Sequence, residues 1–154
     1  MKNYVVVLLS LVLLGCGSDG ENGNANRDFT AENEQEILDY IAQNNLDAQR
    51  TDSGLYYVIE NPGTGATPTL QSQVTVAYRG YFTNGQVFDQ SGSNGIQFPL
   101  NGVITGWQEG IPLFREGGNG ILLIPSQLGY GNAGIGSIPG GAVLIFDITL
   151  IRVE

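Results

Sequence analysis

From Leu55 onward the pattern is that of strands: short runs rich in β-branched and aromatic residues, separated by turn residues. Val74, Val76 and Tyr78 alternate with Thr75, Ala77 and Arg79, as in a half-buried strand. Leu55 to Ile59 is a further run, ended by Asn61-Pro62-Gly63. Asn84-Gly85 falls between Tyr81-Phe82 and Val87-Phe88, a spacing that predicts a hairpin of type I′. Ile96 to Leu100 is short and extended. Ile121 to Ile124 and Ala142 to Val153 are two more runs rich in β-branched residues. A glycine-rich loop, Pro125 to Gly141, separates them. One short helix is expected at Thr105 to Phe114, weakened by Gly110 and Pro112. Antiparallel strands with a segregated helix make an α+β fold. About 100 residues suffice for one core of that kind.

The first residues read differently. Lys2 is followed by an apolar run, Val5 to Leu14, broken only by Ser10. It is shorter than the ~20 residues a spanning helix needs and fits the apolar region of a signal peptide. Leu13-Leu14-Gly15-Cys16 follows at once and resembles a bacterial lipobox, so Cys16 is expected to be the lipidated residue. The alternative is an ordinary cleaved signal with an incidental cysteine. Residues 1–15 are thus read as a lipoprotein signal peptide and 16–29 as a flexible tether, since GSDGENGNAN has no apolar side chain larger than alanine. Gly17, standing after Cys16 where enteric bacteria use Asp for retention, points to the outer membrane. Thr30 to Gln49 is expected to be a helix capped by Thr30, with Glu32, Glu34 and Glu36 favouring its positive end. Ile37, Leu38 and Ile41, joined by Tyr40, form its apolar stripe. Residues 30–52 are the helix and connector, and 53–154 the main domain.

Composition then narrows the chemistry. The chain has no histidine, and Cys16 is its one cysteine. A Ser-His-Asp or Cys-His nucleophile is impossible, and so is a His-ligated zinc site. There is no GxxxxGK[ST] phosphate loop, and no closely spaced carboxylate pair stands out. Removal of residues 1–15 leaves five basic against 15 acidic residues, a net charge of −10. Such a surface argues against nucleic acid and leaves the lipid as the membrane contact. No metal and no cofactor is expected. Aromatic and aliphatic residues around glycine-rich loops suit a dry binding pocket.

Those residues carry a family resemblance. Val76-Ala77-Tyr78-Arg79-Gly80-Tyr81, Asn84-Gly85-Gln86-Val87-Phe88-Asp89, and Phe98-Pro99-Leu100-Asn101-Gly102-Val103-Ile104-Thr105-Gly106-Trp107 stand in the order of the FKBP-type peptidyl-prolyl isomerase signature. Ile124-Pro125, Leu128-Gly129-Tyr130-Gly131, Ile138-Pro139 and Leu144-Ile145-Phe146-Asp147 continue it. Residues 53–154 therefore resemble this family, and 30–49 resembles the leader helix of its bacterial lipoprotein members. The resemblance implies a bent antiparallel sheet wrapped around one short helix. It implies Trp107 as the pocket floor and Tyr78, Phe88 and Phe146 as walls. It gives Val103 and Ile104 as edge residues whose backbone meets the ligand, Tyr130 as a hydroxyl for a substrate carbonyl, Ile138 as the rim and Asp89 as the polar group inside. Ile96 stands among the substrate-binding residues where relatives often place an aromatic. No arginine lies between Asp89 and Ile96, so Asp89 is expected to lack a basic partner. The loop at 125–141 is too short for an inserted chaperone domain. Proline-containing polypeptides are the implied partners and the family's macrolide inhibitors the implied ligands, with a monomer as the default state. A binding module without useful turnover, and a structural lipoprotein that recruits a partner complex, stay open beside the isomerase.

Overall fold

The computed structural model describes residues 27–154; the expected signal peptide, Cys16 and most of the expected tether lie outside the described residues. Helix α1 (Thr30–Asn44) is followed by β1 (Gln49–Arg50), β2 (Tyr56–Asn61), β3 (Gln73–Tyr81), β4 (Val87–Gln90) and β5 (Ile96–Pro99). Helix α2 (Thr105–Gly110), β6 (Asn119–Ile124) and β7 (Leu144–Val153) complete the chain. All seven strands join one antiparallel sheet in the order β1-β2-β6-β7-β3-β4, with β5 beside β4 on the same edge of β3. Register slips at Glu60 of β2, Phe88 of β4 and Ile151 of β7 each add local twist and bend. This is the expected α+β architecture.

The period-2 pattern divides the core between two faces. Leu144, Phe146, Ile148 and Leu150 of β7 pack around Trp107, with Val74 and Val76 of β3 and Leu122 and Ile124 of β6. Ile145, Leu123, Tyr56 and Tyr81 point the other way, onto Ile37 of α1. Ile37 is fully buried there, which contributes roughly 1.5–3 kcal/mol.

Three local expectations are corrected. First, α1 ends at Asn44, not Gln49. Asn45 takes a left-handed conformation (φ 51°) and Leu46 donates its amide to the Ile41 carbonyl. Asparagine tolerates that region better than most residues, and it frees Gln49–Arg50 to pair with Tyr56–Tyr57. Thr30 is the first helical residue, its own amide held by the Asp28 carboxylate at 2.9 Å. Second, Leu38 is exposed while Tyr40 and Ile41 pack beside Ile37, so the stripe is narrower than read. Third, the hairpin is not type I′. Only Gly85 has positive φ. Phe82 donates to the Gln86 carbonyl and Gly85 to that of Phe82, a three-residue loop closed by one left-handed residue.

Helix α2 lies unusually close to β6. A Cβ on Gly106 would come within 2.6 Å of Ile124 Cγ2, and one on Gly110 within 2.7 Å of the Leu122 methyls. Four helical residues advance ~6 Å and two strand residues ~6.6 Å, so the two glycines match the two side chains. Gly110, which looks like a helix breaker, is a packing contact.

Candidate functional site

Trp107 is seated by this close packing. Its buried indole is met by three rings: Tyr78 at 5.2 Å, Phe146 at 5.3 Å and Phe98 at 5.6 Å between centroids, all near-perpendicular. Such edge-to-face pairs are each worth ~0.5–1.5 kcal/mol beyond burial. The indole Nε1 is buried without a hydrogen-bond partner among the described residues. Above it opens a cavity of about 260 Å³ lined by Tyr78, Asp89, Phe98, Val103, Ile104, Trp107, Tyr130 and Phe146, together with Gly102. A hollow of about 350 Å³ elsewhere is lined by Glu60, Arg79, Asn119 and Asp147 among others; it has no stacked rings and is not the candidate.

Seven of the ten expected pocket residues thus line one cavity. Phe88 does not. It packs edge-on to Phe146 (5.5 Å, 85°) and against Phe82, so it touches the cavity only through Phe146. Gly80 makes room for this pair, since a Cβ there would meet both rings within 2.8 Å. Ile138 packs on the same core and bonds with Ile135 across the loop, outside the lining. Ile96 is 43 % exposed. It pairs with Val76, two positions along β5 from Phe98, which pairs with Val74. Two strand residues are ~6.6 Å, enough to leave Ile96 beyond the cavity and put Phe98 in it. The missed aromatic was legible as the same-parity neighbour of Ile96.

Asp89 has a partner, but not a basic one. Its Oδ2 accepts the Tyr78 hydroxyl at 2.7 Å. Arg79 instead lies over the Tyr81 ring. Burial, then the bond to Asp89, pushes the Tyr78 hydroxyl up to about 12. Burial and the Asp89 charge raise Tyr130 as well. The folded chain holds the Tyr78 proton more tightly than the unfolded chain, whose tyrosines titrate near ~10. This contribution to stability is complete below about pH 10 and is lost as pH rises from there to about 12. Tyr78→Phe is expected to remove that part of the alkaline decline in denaturant midpoint. A residual decline stays with Tyr81, which burial and its bonds to Tyr40 and Asp147 also raise. An unaltered pH profile in the variant rules the contact out as its source.

The remaining polar groups are edge groups. The Val103 carbonyl accepts from Gln108 Nε2 at 2.7 Å, and the Ile104 carbonyl from the Trp107 and Gln108 amides. The Ile104 amide has no acceptor among the described residues. A ligand in the cavity therefore meets an aromatic base, the Ile104 backbone donor, two phenolic hydroxyls and the Asp89 carboxylate. The described residues hold no cluster able to ligate a metal.

Residues 65–151 match the family model described as FKBP-type peptidyl-prolyl cis-trans isomerase. The chain is 43 % identical over 127 residues to the FKBP-type peptidyl-prolyl cis-trans isomerase FkpA of Aeromonas hydrophila, covering 80 % of this chain and 47 % of that protein. To FkpA of Escherichia coli strain K12 it is 39 % identical over 104 residues, covering 66 % of this chain and 38 % of that one. The chain spans less than half the length of these curated relatives. The crystal structure of FkpA from Escherichia coli superposes with a TM-score of 0.73 at 34 % identity, over 81 % of this chain and 61 % of that one. A peptidyl-prolyl cis-trans isomerase from Pseudomonas syringae pv. tomato gives 0.71 at 30 % identity, over 84 % and 98 %.

Proposed function

The chain belongs to the FKBP-type peptidyl-prolyl cis-trans isomerase family, and from that premise we propose that its aromatic cup isomerises X-Pro bonds of polypeptides in the bacterial cell envelope. The observation that carries this reading is the buried Trp107 base met by three rings, in a cavity that Val103, Ile104, Asp89 and Tyr130 also line.

Rotation about an X-Pro bond is slow because it breaks amide resonance, against a barrier of ~18–20 kcal/mol. No bond to carbon is made or broken, so neither nucleophile nor metal is needed. The planar amide is charge-separated and the twisted one less so. Transfer from water into the cup disfavours the planar form more. The prolyl ring sits on Trp107 between Tyr78, Phe98 and Phe146. The Ile104 amide donates to a carbonyl of the bound peptide, and the Tyr130 hydroxyl to another. Contacts that fit the twisted geometry best are the ones that raise the rate. Asp89 acts through Tyr78, which it holds by the hydroxyl. The lipobox-like Leu13-Leu14-Gly15-Cys16 supports an envelope location, with acyl chains on Cys16 holding the domain near its clients.

A protease-coupled assay with a proline peptide tests this on the full chain. Acceleration over the uncatalysed rate, suppressed by a macrolide inhibitor of the family, is the expected result. Macrolide binding without acceleration leaves a proline-peptide binding module. Absence of both overturns the reading.

A further inference from the structure

Asn33 is 1 % exposed, and with Ser126 it makes up the buried polar residues among those described. The two are bonded: the Ser126 amide donates to Asn33 Oδ1 at 2.8 Å. Asn33 Nδ2 in turn donates to the Gly141 carbonyl at 2.8 Å. Ser126 and Gly141 stand at the two ends of the loop that carries Tyr130 and Ile138. Inside the loop the Gly131 amide donates to the Ser126 carbonyl at 2.7 Å, and the Gly141 amide to the Gly131 carbonyl at 2.9 Å. The side chain of Asn33 therefore closes a ring of hydrogen bonds that passes through Gly131, the residue next to Tyr130. Two neighbours reinforce it. The Asn132 side chain donates to the Arg27 carbonyl at 2.6 Å, and the Phe29 ring fills the space a side chain on Gly141 would need. Asn33 lies on α1, outside residues 65–151 matched by the family model.

We infer that Asn33 is a positioning residue for the Tyr130 edge of the cup, acting through the Ser126–Gly131–Gly141 backbone ring. The inference rests on the proposed isomerase reading. An amide side chain suits the place because it supplies one acceptor and one donor at fixed separation. Anchorage of α1 alone does not require both loop ends to be held by one side chain. Ile37, Glu34 on Tyr56 and Glu36 on Thr83 already fix the helix.

The test is a double-mutant cycle on kcat/KM with the full chain, using Asn33→Ala, Tyr130→Phe and both. Misplacement of ~1 Å away from the chemistry costs up to ~10²-fold, and Asn33→Ala is expected to lower kcat/KM by about tenfold. In the Tyr130→Phe background it should cost no more than about twofold, the margin within which independent effects add. Losses that multiply, or full activity in folded Asn33→Ala, overturn the inference. Amide hydrogen exchange gives a readout independent of turnover. Exchange at Gly131 and Gly141 should accelerate in Asn33→Ala while Leu122 and Leu123 stay protected; unchanged exchange at the two glycines overturns the positioning role. If the wild-type chain shows no turnover, the isomerase reading fails, and exchange still decides whether Asn33 orders the loop. Asn33→Ser, polar but too short to bond both loop ends, carries the same expectation should the alanine variant not fold.

Discussion

Trp107→Leu is expected to lower kcat/KM for a proline peptide by ~10²-fold in a domain that still folds. The indole is the one group on which Tyr78, Phe98 and Phe146 all stand. Leucine fills part of its volume but offers no ring face, so all three walls lose the partner that fixes their tilt. The substitution also leaves a void, and its stability cost is about 3 kcal/mol, within the range for large aromatic truncations. That is below the ~5–15 kcal/mol of a typical domain. The comparison with Phe88→Ala sharpens the test. Phe88 reaches the cavity only through Phe146, so its loss should cost about tenfold at most. The pair is measured by protease-coupled kinetics, with circular dichroism and urea melts on the same samples. Full turnover in folded Trp107→Leu would falsify the assignment of the cup as the reacting site.

Gly120→Ala is expected to cost ~4 kcal/mol or more, the range reserved for a backbone or packing clash with no escape. Gly120 sits in β6 between Ile59 of β2 and Ile148 of β7. A Cβ there would run into the Val58 carbonyl oxygen and meet the Phe114 ring at 2.9 Å. Neither can yield, since Val58 O is main chain and Phe114 is fully buried. Glycine inside a strand often marks such a close approach. Gly92→Ala is the control. Its Cβ position is open for 4 Å and its φ is not positive, so its effect should stay within ~0.5 kcal/mol. Equal urea midpoints for the two variants would show that crowding at Gly120 is relieved elsewhere.

Sheet and core were legible in the sequence because alternation is a local signal. Val74, Val76 and Tyr78 share a parity, and that parity is the cup face. The site was legible in outline because its rings come from motifs with an order along the chain. What escaped depends on distance in space. The residues just after Asp89 carry no partner for it, and the bond comes from Tyr78 on the neighbouring strand. Ile96 and Phe98 have the same parity, and their places along β5 in its register with β3 separate the one that reaches Trp107 from the one that does not. Asn84-Gly85 marked the turn correctly, but its type was set by Thr83 joining the loop. Gly106 and Gly110 read as weak points of a helix because propensity does not register what the helix leans on.

Strand β7 has a further consequence. Like β6, it has neighbouring residues that face different companions, Phe146 toward the indole and Ile145 toward Ile37 of the leading helix. A single residue inserted or deleted there turns every later side chain over. The cup would then receive Asp147 and Thr149 while Ile148 and Leu150 faced outward. From Leu144 to Leu150 a length change is tolerable only in pairs, and a single extra residue is taken up only at a register slip such as the one at Ile151 opposite Thr75 and Val76, so this stretch acts as a reading frame for both sides of the molecule at once.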